Sequence, residues 1–170
     1  MPTYIALLRA VNVGGTGKLP MSDLKRLCEE AGFSAVQTYI ASGNVVFDSP
    51  HSAAQARQAL EDALLAYAGK PVTVALRSTA ELAAVLAANP FPDAAPNRTV
   101  AIFLDQAPAA DALDTLRGQA DEQLALGVRE IYVSYGAGMA GSKLLIPAAP
   151  KGTARNMNTV AKLVAMAQAR

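Results

Sequence analysis

The chain is predicted to adopt an α+β fold of two ferredoxin-like halves, each a split βαβ unit with its own antiparallel sheet. Two observations carry this expectation. Residues 3–77 read β-α-β-β-α-β, and part of that order returns after a proline-rich linker. Composition supplies the material: of 170 residues, 52% are hydrophobic and 17% charged, which suits one large domain or two small ones sharing a core and excludes disorder.

In the first half, residues 1–90, the apolar run Thr3 to Val11 reads as a buried strand followed by a glycine loop, Gly14 to Gly17. Pro20 and Ser22 open a short helix whose face is Leu24, Leu27, Cys28 and Ala31, and Gly32 closes it. Val36 to Ala41 and Val45 to Asp48 are strands, and Ser42-Gly43-Asn44 between them is a tight turn. A helix over Ser52 to Tyr67 buries Ala56, Leu60, Ala63, Leu64 and Tyr67, and Val72 to Arg77 is the fourth strand. Ser78 and Glu81 then form a capping box for an added helix over residues 79–88, which stops near Asn89-Pro90.

Pro90, Pro92 and Pro96 mark the linker to a related second half, residues 97–170. There Thr99 to Leu104 is a strand, Ala110 to Ala120 a helix, and Glu122 to Leu126 and Arg129 to Tyr135 two strands turning at Gly127. A Gly/Ala/Pro-rich stretch precedes a last helix, which starts in the segment Thr153 to Thr159 and carries Val160, Leu163, Val164 and Ala167 on one face.

Several function classes are excluded or disfavoured. A net charge of +1 argues against a general binder of polyanions, so any electrostatic signal is local. A ferredoxin-like sheet that stacks RNA bases needs aromatics on its central strands, and these offer only Tyr4 and Phe47. One histidine, His51, and one cysteine, Cys28, cannot build a standard zinc site, and no Ser-His-Asp triad is supported. Cys28 shares its helical face with Leu24, Leu27 and Ala31 and reads as a small buried hydrophobe. The run Tyr4 to Leu8 is too short for a signal peptide and no stretch is long enough to span a membrane, so a cytoplasmic location is expected. No cofactor is implied.

Two phosphate-site patterns fail on inspection. In Asn12 to Leu19 the P-loop pattern lacks its first glycine, at Asn12, and its magnesium-binding hydroxyl, at Leu19. Gly136 to Gly141 fits G-x-G-x-x-G, but no acidic residue follows Glu130 to hold a ribose, so a loop is expected.

Three polar clusters remain, and the first and third lie in stretches without carboxylates: no Asp or Glu precedes Asp23 or follows Glu130. The first comprises Arg9, Asn12, Gly14, Gly15 and Lys18; glycine N–H groups and a nearby lysine can cradle an anion. The second is Ser42, Gly43 and Asn44, which a split βαβ unit places beside the first because strands one and two end at the same sheet edge. The third is Arg155, Asn156, Asn158 and Thr159 at the start of the last helix, where N–H groups and an arginine suit an anion. Arg9, in an apolar strand, needs a carboxylate, carbonyls or an anion. The leading expectation is a site for a small anionic ligand, phosphorylated or nucleotide-like. Two alternatives stand beside it: the clusters are interdomain hydrogen-bond staples, or the chain is an enzyme on such a ligand with Lys18 or Ser42 as the reactive group.

The stretches Tyr4 to Gly15, Tyr39 to Phe47 and Thr153 to Thr159 resemble, in order, those of a bacterial family known only as domain of unknown function 1697. The resemblance implies an α+β fold with two ferredoxin-like parts and carries no activity, cofactor or catalytic residue. The family usually has Trp where Met157 stands.

Overall fold

The computed structural model describes residues 1–12, 18–136, 138–149 and 152–170. The chain divides into two compact units: Met1–Leu82 with Lys162–Arg170, and Ala83–Ala161.

The first unit follows the β-α-β-β-α-β order: β1 (Thr3–Leu8), α1 (Met21–Glu30), β2 (Ser34–Tyr39), β3 (Asn44–Asp48), α2 (Ala53–Ala68) and β4 (Val74–Ser78). Its antiparallel sheet runs β2-β3-β1-β4, the spatial order of a ferredoxin-like split βαβ unit. Leu24, Leu27 and Cys28 recur at helical spacing on α1, and Ala56, Leu60 and Leu64 do so on α2. These faces pack with Tyr4, Ala6, Leu8, Val45, Phe47 and Leu76 of the sheet in one apolar cluster. Phe33 and Phe47 stack inside it, ring centroids 4.0 Å apart. Burying a side chain such as Leu60 contributes about 1.5–3 kcal/mol. A capping box between Ser52 and Gln55 starts α2, and Gly69, in the left-handed region at φ 73°, ends it.

The second unit repeats the strand order with other connections. Its strands are β5 (Thr99–Phe103), β6 (Gln123–Leu126), β7 (Glu130–Ser134) and β8 (Thr153–Asn156), ordered β6-β7-β5-β8, again antiparallel throughout. Two helices follow the last strands, α3 (Thr79–Ala87) after β4 and α4 (Met157–Gln168) after β8. Ser78 and Glu81 do form the expected capping box on α3, with N–H to side-chain oxygen distances of 2.8 and 3.1 Å.

Four expectations about elements are corrected. The first strand ends at Leu8, because Ala10 takes a φ of 57° that breaks extended backbone. Tyr67 is 38% exposed and not core; its hydroxyl donates to Asp23 Oδ2 at 2.6 Å. The helix expected over Ala110 to Ala120 is a single 3-10 turn, Ala112–Thr115, with only Ala112 buried. Gly118 there has φ +69°, and a Cβ on it would meet the Lys143 carbonyl oxygen at 2.1 Å, so the chain makes a close approach that a helix would block. Thr153–Asn156 is a strand: its pairing with Val100–Phe103, about fifty residues away in sequence, overrides the local helix-start signal.

The repeat extends to single residues. Arg77 on β4 stands opposite Ile5, the third residue of β1, and Arg155 on β8 stands opposite Ala101, the third residue of β5. Each is buried, and each donates from Nη1 to the carbonyl of the preceding residue, Leu76 at 3.0 Å and Ala154 at 2.9 Å. One residue later the helix N-caps also correspond, Ser78 on α3 and Asn156 on α4, where Thr159 N–H donates to Asn156 Oδ1 at 2.9 Å.

Candidate functional site

In the first unit a group of polar residues gathers just beyond the end of β1. There Arg9, half-buried, donates its backbone N–H to Thr73 O at 3.0 Å, which ties it to the chain entering β4. Close by, Gly69 turns the chain out of α2 and leads into Lys70, Pro71 and Val72. These segments enclose a cavity of about 470 Å³, lined by Arg9, Lys18, Tyr67 and Lys70 among apolar walls that include Val11, Leu19, Leu64 and Val72. Its described lining holds three cationic residues and no Asp or Glu. Tyr67 hydrogen-bonds to Asp23, and that bond, with burial second and Asp23's charge third, moves the phenol pKa up. The last turn of α2 borders the cavity, and a helix C-terminus carries only about −0.5 elementary charge, so the three cations outweigh it.

Two of these lining residues, Arg9 and Lys18, belong to the first polar cluster; Lys70 and Tyr67 do not. Arg9 is not the strand-interior charge that the sequence suggested, since the strand stops before it. Gly14 and Gly15 lie outside the described residues.

Asn12 does a different task. Its Nδ2 donates to Leu19 O and to Ala41 O, each at 2.8 Å, and its Oδ1 accepts the Leu19 N–H at 2.6 Å. It therefore pins both ends of the glycine loop to each other and to the hairpin turn. That places the first two clusters side by side, as the split βαβ topology requires. In the turn, Asn44 is fully buried and donates from Nδ2 to Tyr39 O and to Ser42 Oγ, both at 2.9 Å. Gly43 is needed there twice over: its φ is +90°, and a Cβ would sit 2.7 Å from Val11 Cγ2. Ser42 itself is exposed.

The third cluster belongs to the second unit except for the end of its helix. Arg155 is 9% exposed, and burial lowers its pKa to about 10. Asn156 is the N-cap of α4, Thr159 is buried and Asn158 faces solvent. Because Arg77 and Ser78 occupy the corresponding positions of the first unit, a buried arginine followed by a cap is a repeated feature of this fold.

No three His, Cys, Asp or Glu side chains among the described residues gather as a metal site, and no described helix is long and apolar enough to cross a membrane. Burial pushes the Cys28 thiol up to about 12, with the charge of Glu29 adding to the effect.

No curated protein matches the chain. A solved structure described as that of the conserved bacterial protein SP0830 from Streptococcus pneumoniae is similar to it with a TM-score of 0.82 and 26% sequence identity, over 99% of each chain. The sequence pattern of the family described as "Protein of unknown function (DUF1697)" matches residues 1–132, and the chain belongs to that family.

Proposed function

We propose that the first unit binds a small anionic ligand in the cavity formed by Arg9, Lys18, Tyr67 and Lys70. One observation carries the reading: three cations line a cavity of ligand size with no carboxylate among its described lining. Its volume of about 470 Å³ falls within the usual range for small-molecule sites, roughly 300–1,000 Å³. The apolar walls, Val11, Leu19, Leu64 and Val72, favour a ligand with a hydrophobic or planar body carrying a phosphate or carboxylate. Arg9 can grip such a group with two N–H donors, and Lys70 and Lys18 act as point charges.

The asparagines take a structural role in this reading. Asn12 has both Nδ2 hydrogens and its Oδ1 engaged with backbone groups, and Asn156 caps a helix. Each of those bonds lies within a single unit, so they give these two residues local structural roles and are not interdomain staples.

The test is calorimetric titration of the full chain with inorganic phosphate, a sugar phosphate and a nucleoside monophosphate at low salt. Arg9→Ala and Lys70→Ala should each cost about 1.5–3 kcal/mol of binding, the range for hydrogen bonds to charged groups. Arg155→Ala should leave affinity unchanged. No heat with any of these probes, or binding that survives both Arg9→Ala and Lys70→Ala, removes the reading.

A further inference from the structure

We propose that β6 is a docking edge for a second copy of this chain, the two β6 strands pairing antiparallel about a two-fold axis at Ala125. The outward groups of β6 follow from its register. Gly127 N–H donates to Glu130 O at 2.7 Å, so residues 127 and 130 form a hydrogen-bonded pair at the hairpin. In an antiparallel ladder such pairs alternate, which turns the backbone groups of Gln123 and Ala125 toward β7 and those of Leu124 and Leu126 outward. Among the described residues, nothing bonds to the outward N–H and C=O groups of Leu124 and Leu126.

The two edges that open each hairpin are treated differently. In the first unit, β2 carries a register shift between Ser34 and Gln37, a φ of 49° at Ala35, and a bond from Arg170 Nη2 to Ala35 O. A bulge and a cation are common guards against strand addition. β6, four residues long, has no register shift in its pairing with β7, and among the described residues no cation bonds to its outward groups. It reads Gln-Leu-Ala-Leu, Leu126 is 36% exposed, and Val128 at the hairpin tip is 81% exposed.

The β6 sequence is also complementary to itself. An axis at Ala125 sets Leu124 opposite Leu126 of the other copy, on the face that holds Ile131 and Val133, and sets Asp121 opposite Arg129 at both ends. Leu124 and Leu126 would then exchange their outward hydrogen bonds, the closely spaced type of pair. Cross-strand apolar and opposite-charge pairs each add to such a ladder. The product is one continuous sheet from two four-stranded ones.

Sedimentation equilibrium of the full chain should give about twice the 17.6 kDa chain mass, falling to the chain mass in Leu126→Lys with an unchanged circular dichroism spectrum. Hydrogen exchange on the unmodified protein reads the pairing itself. On going from dilute to concentrated protein, the amides of Leu124 and Leu126 should gain protection at least tenfold, while those of Gln123 and Ala125 stay protected throughout. A chain that stays monomeric across the micromolar range overturns the proposal. So does a dimer that survives Leu126→Lys, or one whose Leu124 and Leu126 amides exchange as fast as in the monomer. Should Leu126→Lys fail to fold, the exchange pattern decides.

Discussion

Replacing Asn12 by alanine isolates the bonds that join the glycine loop to the hairpin turn. Leu19 is only 5% exposed, and without Asn12 Oδ1 its N–H loses an acceptor at 2.6 Å, a loss of about 1–3 kcal/mol. The bond to Leu19 O adds roughly 0.5–1.5 kcal/mol; the bond to Ala41 O lies at the surface, where water replaces it, and adds least. Asn12 also holds a φ of 55°, where alanine pays about 1–2 kcal/mol and asparagine less. Together these give a destabilisation of about 2–6 kcal/mol, read by urea unfolding followed by far-ultraviolet circular dichroism. Asn158→Ala is the control: the same residue type on an exposed helix position should change stability by no more than about 0.5 kcal/mol. Equal effects of the two substitutions, or an Asn12→Ala protein as stable as the parent, would refute the stapling argument.

Two further outcomes concern titrating groups. Cys28 should resist thiol reagents in the folded protein at pH 8 and react on unfolding. Its folded pKa of about 12 lies above the value of about 8.5 in an unfolded chain, so its contribution to stability is full below pH 8.5 and declines as pH rises beyond it; reagent kinetics with and without urea check this. At Asp48 burial raises the carboxyl pKa, but hydrogen bonds from Thr3 and Arg170 and the charge of Arg170 more than offset it, and the net direction is down. A lowered folded pKa stabilises above the unfolded value of about 3.9 and is lost as pH falls through the folded one. Arg170→Ala should move the Asp48 titration upward in a carbon-detected NMR series, and an unmoved titration would show that the contact at 3.1 Å does not form in solution.

Much of the fold was legible because its signals are local. The β-α-β-β-α-β order of the first unit rests on apolar periodicity in α1 and α2 and short apolar runs in the strands, and the added helix α3 on a Ser78–Glu81 capping box, all readable within a few residues. β8 was not legible: Thr-Ala-Arg-Asn has no apolar alternation, and only its pairing with β5 makes it a strand. The helix expected after Ala110 failed for the opposite reason, a long-range backbone approach at Gly118 that no neighbouring residue announces. The cavity divides the same way. Arg9 and Lys18 stand out as cations in a stretch without carboxylates, whereas Lys70 reaches them only through β1–β4 pairing, and Tyr67 reads as core because it keeps helical spacing with Leu60 and Leu64. Met157, where the family usually has Trp, is 3% exposed and packs as core, so its flexible thioether fills space there.

The division of α4 constrains how the chain can be made. Lys162–Arg170 complete the first unit, where Arg170 bonds to Asp48 and Gln37, yet they are translated after the whole of the second. A ribosome emitting this chain therefore releases a nearly finished N-terminal unit that waits, lacking its last segment, through the synthesis of everything between. Its early emergence gives it no early completion, and a stall or a clipped terminus late in synthesis would damage the part made first.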